Sequence, residues 1–219
     1  MGILVKICGI NSADAADAVA RAGADLAGLA FHPKSPRNLN VEQASALARR
    51  LRGRVRLVTF FSDPDDELLA GVTAVVRPDF IQLHGAETPA RAAAIRSRFG
   101  IPLIKAFPIA ESADFAPVAS YEDSVDMFLF DARPPGGAAR QGGHGVAFDW
   151  QILRGRKFAR PWLLAGGLTA DNVARAIQTG EAPGVDVSSG VETQPGRKSP
   201  ELIAQFVQAA RNAKFGAAA

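Results

Sequence analysis

The chain of 219 residues is 47% hydrophobic and 21% charged, which is enough for one substantial core, so we expect a single domain over residues 1–219. The net charge of +3, from 25 basic and 22 acidic residues, is spread along the chain and gives no support for binding to nucleic acid or membranes. One cysteine and three histidines exclude an internal disulfide and predict no metal site, and the lack of a signal-peptide pattern or a long apolar span favours a cytoplasmic protein.

Short apolar runs alternate with helical patterns through the first half of the chain. Strands are predicted at Leu4–Cys8, Leu26–Phe31, 55–60 and Phe80–Leu83. Helices are predicted at 12–22, with Asn11 as the cap, at 40–51, where Asn40 and Gln43 resemble a capping box, at 64–75 and at 88–99. The segment 32–38 contains two prolines, so a loop is predicted there.

The alternation continues through the second half. Strands are predicted at 102–106, 126–130, 161–164 and 184–187, and helical segments at 113–119, 148–153, 170–179 and 200–213. Thr169 is the expected cap of the third of these helices, and Gly180 its stop. The glycine- and proline-rich segment 132–145 is predicted to be a mobile active-site loop, because long loops in compact domains are usually functional. The small-residue tail 215–219 is predicted to be disordered.

Eight apolar strands that alternate with helices predict a parallel sheet. Closure into a (β/α)8 TIM barrel removes both exposed edges of that sheet, so this is the predicted fold. An open doubly wound sheet is the alternative. It is disfavoured because no Gly-x-Gly-x-x-Gly pattern follows the first strand.

Two strand ends near the C terminus carry residues suited to an anion. Gly166 and Gly167 follow the seventh strand, and Ser188, Ser189 and Gly190 follow the eighth. Small residues there leave backbone N–H groups accessible, and the corresponding loops of barrels commonly hold phosphate. A plain turn or cap is the alternative for either segment alone, but two such segments in succession favour a phosphate site.

Two residues are candidates for proton transfer. Cys8 ends the first strand and Asp131 follows the sixth, so both side chains would reach the catalytic face of a barrel. Cys8 could instead be a small buried hydrophobe, and Asp131 a carboxylate that caps its loop. Lys6 shares the strand face of Cys8 and could favour its thiolate, whereas the apolar strand before Asp131 suits a proton donor.

Three further residues are candidates for substrate binding. Arg37 is either a solvated loop charge or a guanidinium that holds a carboxylate through two parallel hydrogen bonds. His84 ends the fourth strand and could be a packing residue or a substrate contact. Asp186 lies within the last strand, where it could orient a substrate hydroxyl or hold the phosphate loop.

Together these segments resemble the phosphoribosylanthranilate isomerase family, the (β/α)8 enzymes of tryptophan biosynthesis. The resemblance is carried by KICGI at 6–10, FHPKSPR at 31–37, QLHG at 82–85, FDW at 148–150, LAGGL at 164–168 and GVDVSSGVE at 184–192. Each motif alone is weak. Their order and spacing over nearly the whole chain are specific.

The resemblance implies conversion of N-(5-phosphoribosyl)anthranilate to 1-(2-carboxyphenylamino)-1-deoxyribulose 5-phosphate, an Amadori rearrangement without a cofactor. It implies that Asp131 is the general acid, that Cys8 is the general base and that Arg37 binds the anthranilate carboxylate. It also implies that the glycines and serines of the two turns hold the phosphate. The implied partner is a small phosphosugar, bound by a monomer or a homodimer.

One segment departs from the family pattern. Where Gly-Gly-Thr-Gly or Gly-Gly-Ser-Gly and a basic residue are expected after the sixth strand, residues 142–146 read Gly-Gly-His-Gly-Val. We expect His144 and Val146 to affect closure of this loop and turnover more than the type of reaction.

Three other functions are alternatives. The histidine-pathway isomerase carries out the same chemistry on a substrate with two phosphates, but it has an aspartate base in strand one, where this chain has Cys8. Indole-3-glycerol-phosphate synthase needs a lysine acid, additional glutamates and an N-terminal extension. A non-catalytic phosphosugar-binding barrel would need neither Cys8 nor Asp131.

Overall fold

The computed structural model describes residues 2–133 and 147–213. Its main feature is a closed barrel of eight parallel strands, arranged in chain order, with the last strand paired to the first. The strands are β1 (Leu4–Cys8), β2 (Leu26–Phe31), β3 (Arg56–Phe61), β4 (Phe80–Leu83), β5 (Leu103–Ile109), β6 (Met127–Ala132), β7 (Trp162–Leu164) and β8 (Gly184–Val187). An antiparallel hairpin of β9 (Glu192–Gln194) and β10 (Arg197–Lys198) follows. The predicted barrel is confirmed, and the open sheet is wrong.

Six α-helices are present in the described part of the chain. They are α1 (Ala13–Ala22), α2 (Val41–Leu51), α3 (Asp66–Val76), α4 (Pro89–Phe99), α5 (Val173–Gly180) and α6 (Pro200–Asn212). The capping box predicted for α2 is present, since the side chains of Asn40 and Gln43 each accept from the backbone amide of the other. Within residues 2–133 and 147–213, no helix is long and apolar enough to cross a membrane.

Side-chain alternation along the strands separates two apolar cores. Outward-facing residues pack under the helices, and inward-facing residues form a smaller cluster inside the barrel. That inner cluster consists of Leu26, Val58, Ile104, Ala106, Met127, Leu129, Leu163 and Ala165. Leu4 packs against it, so Lys6 and Cys8, at alternate positions of β1, also face inward. Asp131 faces inward by the same alternation along β6.

The start of α1 differs from the prediction. Ser12 caps this helix, because its side chain accepts a hydrogen bond from the amide of Ala15. Asn11, the predicted cap, instead donates from Nδ2 to the carbonyl of Gly196 at 2.8 Å. Asn11 therefore connects the loop after β1 to the hairpin that follows β8.

The start and end of α5 also differ. Asn172 Oδ1 accepts from the amide of Thr169 at 2.8 Å and closes a turn ahead of the helix. The helix therefore begins at Val173, and Thr169 is not its cap. Gly180 is the last helical residue, and Glu181 takes the left-handed conformation with φ of 54°.

The helices in the connections after β5 and β6 are shorter than predicted. The segments 113–119 and 148–153 contain 3₁₀ helices, at Ser112–Phe115, Val118–Tyr121 and Trp150–Leu153, and not α-helices. Strand β5 continues to Ile109, beyond its predicted end, and Ala132 belongs to β6 and not to the loop. The rest of the predicted loop up to 145, with His144 and Val146, and the tail 215–219 lie outside the described residues.

Candidate active site

The carboxyl ends of the strands meet at one mouth of the barrel. Cys8 is the last residue of β1, and Asp131 is the second-last residue of β6. Asp131 lines a narrow cavity together with 165–168 and 186–190. From the same side, Ser188 Oγ donates to the carbonyl oxygen of Cys8 at 3.2 Å. The two candidate proton-transfer residues and the two candidate phosphate turns therefore lie at one mouth.

A buried ion pair lies one layer beneath Cys8. Lys6 Nζ donates to Asp186 Oδ1 at 2.9 Å, and the Lys6 side chain is fully buried. Burial lowers the pKa of Lys6, but the charges of Asp186 and Cys8 outweigh burial, so that this pKa is raised and the ammonium is retained. Asp186, a predicted substrate-binding residue, thus has a structural partner and also lines the cavity.

Cys8 is enclosed by its neighbours. Burial raises the pKa of its thiol, and the positive charges of Lys6 and Lys198 oppose this effect without cancelling it. A Cβ on Gly28 of β2 would overlap Cys8 Sγ, so glycine at that position makes room for the sulfur. Lys6 therefore favours the thiolate, but burial outweighs its effect and keeps the pKa of Cys8 above its ordinary value.

Glycines shape both candidate phosphate turns. Gly166 and Gly167 have φ of 91° and 62°, the left-handed region that favours glycine. A Cβ on Gly190 would overlap the carbonyl of Leu168, so the close contact between the two turns depends on its absence. Both turns are half-buried and open to the mouth, and Ser188 precedes a 3₁₀ helix whose first N–H groups lack partners within the helix.

Arg37 is buried, and most of its guanidinium is already paired. Its Nε donates to Glu192 Oε1 at 2.6 Å, and its Nη2 donates to Glu192 Oε2 at 2.7 Å. The two-bond contact predicted for a substrate carboxylate is thus made to Glu192, which leaves Nη1 outside the pair. The side chain crosses Gly9, where a Cβ would overlap it, so Arg37 lies beside the end of β1.

Lys198 connects this pair to the candidate phosphate turn after β8. Its Nζ donates to Glu192 Oε1 at 2.8 Å and to the carbonyl of Ser188 at 2.9 Å. Burial lowers the pKa of Lys198 to about 8 against the opposing charge of Glu192. Burial raises the pKa of Glu192, but Arg37 and Lys198 outweigh it and lower that pKa. Sequence reasoning missed both Glu192 and Lys198, although Glu192 ends the GVDVSSGVE motif.

His84 lies between Gln82 and Asp131. Gln82 Nε2 is 3.0 Å from His84 Nδ1, and His84 Nε2 is 3.4 Å from Asp131 Oδ2. A mainly apolar cavity of about 420 Å³ opens beside His84 and Asp131, with Phe107 and Tyr121 in its wall. His84 lies at the mouth, as a substrate contact must, and its partners are the candidate acid and a buried amide. Across residues 2–133 and 147–213, no group of His, Cys, Asp and Glu side chains is arranged to hold a metal ion.

Known proteins resemble this chain over nearly its whole length. The family model for N-(5'-phosphoribosyl)anthranilate (PRA) isomerase matches residues 5–209. The N-(5'-phosphoribosyl)anthranilate isomerase of Rhodopseudomonas palustris (strain BisA53) is 50% identical over 211 residues, which cover 96% of this chain and 97% of the relative. The structure of phosphoribosyl anthranilate isomerase from Thermotoga maritima has a TM-score of 0.85 at 32% identity and covers 95% of this chain and 98% of its own.

A structure of phosphoribosyl anthranilate isomerase in complex with reduced 1-(o-carboxyphenylamino)-1-deoxyribulose 5-phosphate is also similar. Its TM-score is 0.82 at 32% identity, and the match covers 95% of this chain and 98% of that one. The match to the family model begins in β1 and ends within α6, so it includes every strand of the barrel. The chain therefore belongs to the N-(5'-phosphoribosyl)anthranilate isomerase family.

Proposed function

We propose that this protein is the isomerase of tryptophan biosynthesis that acts on N-(5'-phosphoribosyl)anthranilate, with Asp131 as general acid and Cys8 as general base. One observation carries the assignment of these residues. Asp131 shares a cavity with both anion-binding turns, and Cys8 is hydrogen-bonded through its carbonyl to one of them. The relative solved with a reduced deoxyribulose phosphate binds a ligand with a phosphate at one end and an aromatic carboxylate at the other.

Two proton transfers by side chains of the protein convert the substrate to an enaminol. Asp131 protonates the ribose ring oxygen, the bond from that oxygen to the anomeric carbon breaks, and the lone pair of the amino nitrogen forms an iminium. Cys8 then removes a proton from the adjacent carbon, and the electrons of that C–H bond neutralise the iminium to give an enaminol. The enaminol then tautomerises to the ketone product: its hydroxyl loses a proton and the former anomeric carbon gains one. Exchange with solvent returns a proton to Asp131 and removes the proton from Cys8. Because the iminium already accepts electrons, two positioned groups suffice and no cofactor is required.

The environment of Cys8 suits the second step. Burial raises the pKa of the thiol, which makes the thiolate scarcer but a stronger base once it has formed. The ammonium of Lys6, held by Asp186 at 2.9 Å, supplies the nearby positive charge that stabilises this thiolate. Cys8 therefore ionises at the mouth with a fixed counter-charge beneath it.

The two ends of the substrate have separate binding groups. The turns at 166–167 and 188–190 hold the phosphate through backbone N–H groups. Arg37 contacts the anthranilate carboxylate through Nη1, while Glu192 holds the rest of its guanidinium. His84 and Asp186 contact the sugar, which lies between the phosphate and the anthranilate carboxylate. Fixing both ends brings the reacting carbon to Cys8.

The proposal is tested by mixing purified protein with freshly made substrate and measuring the loss of anthranilate-type fluorescence. We expect turnover by the wild type, and a kcat that is lower by about 10²–10⁴-fold in Cys8→Ala and in Asp131→Asn, because each variant removes one proton-transfer group. Substrate affinity should change less than kcat, since the phosphate and carboxylate contacts remain.

Asp123→Asn is the matched control for the acid. Asp123 is exposed and lies before the start of β6, at the end of the strand away from the mouth, so its variant should keep wild-type turnover. Wild-type rates in Cys8→Ala or Asp131→Asn would contradict the assigned roles. Tight binding of substrate without turnover by the wild type would favour the non-catalytic barrel. The cytoplasmic location and the monomeric or homodimeric state stay predictions.

A further inference from the structure

Gln82 lies behind the candidate acid in the interior of the barrel. It belongs to β4, and only 1% of its surface is exposed. Its Nε2 lies 3.0 Å from Nδ1 of His84, and Nε2 of His84 lies 3.4 Å from Oδ2 of Asp131. The three side chains therefore form a row from the barrel interior to the mouth.

The amide of Gln82 determines which nitrogen of His84 carries the proton. When Gln82 Nε2 donates to Nδ1, the neutral imidazole must be protonated on Nε2. In this orientation Gln82 Oε1 is buried without a hydrogen-bond partner in residues 2–133 and 147–213. The opposite amide orientation would instead leave buried N–H donors unpaired, which is the rarer arrangement in proteins. Gln82 is therefore the donor to His84.

A second contact restricts the ring of His84. Phe60 of β3 packs against it edge-on, with ring centroids 5.0 Å apart and an interplanar angle of 73°. With Nδ1 held by Gln82, the Nε2–H group faces Asp131. The distance of 3.4 Å exceeds that of an ordinary hydrogen bond, and catalytic hydrogen bonds of this kind often tighten when the substrate binds.

We propose that Gln82 is a positioning residue for the catalytic acid: it fixes His84 in the Nε2–H tautomer, and His84 then orients Asp131. The proposal rests on the role of Asp131 given above. A donor at one carboxyl oxygen leaves the other oxygen free to face the ring oxygen of the substrate. The same N–H group stabilises the carboxylate that remains after Asp131 has given up its proton. Gln82 acts through His84 and does not contact the substrate.

Nitrogen-15 NMR of the histidine rings in the unliganded protein tests the tautomer. In the wild type we expect His84 to carry its proton on Nε2 and to have a bare Nδ1, with the signals assigned by comparison with His84→Gln. In Gln82→Glu the new carboxylate accepts and cannot donate, so we expect Nδ1 of His84 to become protonated. Thr59→Val removes another fully buried polar group on the neighbouring strand β3 and should leave the His84 signals unchanged.

Steady-state kinetics tests the consequence for the acid. We expect kcat of Gln82→Glu to fall by at least about 10-fold with KM little changed, because Gln82 supports a catalytic group and binds no substrate. Gln82→Met keeps the volume of the side chain but removes the donor, so kcat should fall in this variant as well. Thr59→Val should retain the wild-type kcat.

A wild-type His84 protonated on Nδ1 would overturn the proposal, and this measurement needs no variant to fold. Wild-type kcat in Gln82→Glu or in Gln82→Met would also overturn it, as would an unchanged tautomer in Gln82→Glu. Failure of the proposed function has a different signature, since the wild type itself would then not turn over the substrate.

Discussion

Cys8 is buried and is the proposed general base, and its ionisation can be measured directly. Burial raises the pKa of the thiol, and the thiolate is the form that reacts with iodoacetamide. We therefore expect the alkylation rate of the unliganded protein to reach its half-maximum at a pH above that of free cysteine, whose pKa is about 8.5. Mass spectrometry of the modified peptide follows the reaction without ambiguity, because the chain has one cysteine.

Two comparisons isolate the cause of this shift. The same chain in urea has an exposed Cys8 and should be alkylated with the pH dependence of a free thiol. Lys6→Met removes a charge that favours the thiolate, so its half-maximum should lie at a still higher pH. A folded wild type that reacts at or below the pH of the unfolded chain would contradict the effect of burial.

The sequence predicts single residues of the site better than it predicts their partners. Cys8 and Asp131 can be located because each stands at the end of an apolar strand, and barrels place active groups there. The contact of Arg37 with Glu192 joins residues that are 155 positions apart, and it depends on how the β9–β10 hairpin folds back over the mouth. No local pattern encodes that fold, so the sequence allows Arg37 to be a solvated loop charge or a ligand for a substrate carboxylate and does not predict its pair with Glu192.

Among the structural elements, the contact between the two candidate phosphate turns depends on Gly190. A Cβ at this position would overlap the carbonyl oxygen of Leu168, so the turn after β7 and the 3₁₀ helix after β8 would have to separate. We expect Gly190→Ala to raise KM more than it lowers kcat, and to reduce the free energy of unfolding by about 1–3 kcal/mol, a typical effect of overpacking. Kinetics and urea unfolding measure the two effects.

Gly71→Ala is the control for the general effect of replacing a glycine by alanine. Gly71 lies within α3, and a Cβ there meets no atom within 4 Å. Alanine is the better helix former, so this variant should gain about 0.5–1 kcal/mol of stability and keep its KM. Equal effects of the two substitutions would contradict a specific role of Gly190 in the candidate phosphate turns.

The helices and strands follow the sequence pattern closely, and individual hydrogen bonds explain the differences in helix capping. Ser12 displaces Asn11 as the cap of α1 because Asn11 has a distant partner, the carbonyl of Gly196. Thr169 is excluded as a cap because Asn172 closes a turn with its amide. At α1 two adjacent polar residues suit the same cap, and a tertiary contact decides which one is used. At α5 a local hydrogen bond removes the predicted cap.

At the scale of the whole molecule, closure of the barrel assembles the site. Strand β1 carries Cys8 and pairs in parallel with β8, which leads into Ser188. The register places Lys6 opposite Asp186, although the two are 180 positions apart in the chain. The fold was predictable from the alternation of strands and helices, but this ion pair was not, because it exists only once the first and last strands meet.

The Lys6–Asp186 pair therefore allows a test of how closure depends on a buried charge. Lys6→Met leaves the Asp186 carboxylate without its counter-charge, and removal of one partner of a buried pair typically destabilises a protein by about 3–5 kcal/mol. The double variant Lys6→Met/Asp186→Leu leaves no buried charge at this position, so it should recover most of that loss. Urea unfolding of the two variants and the wild type measures the difference. If the double variant is no more stable than Lys6→Met, the loss arises from packing of the β1–β8 seam and not from the unpaired carboxylate.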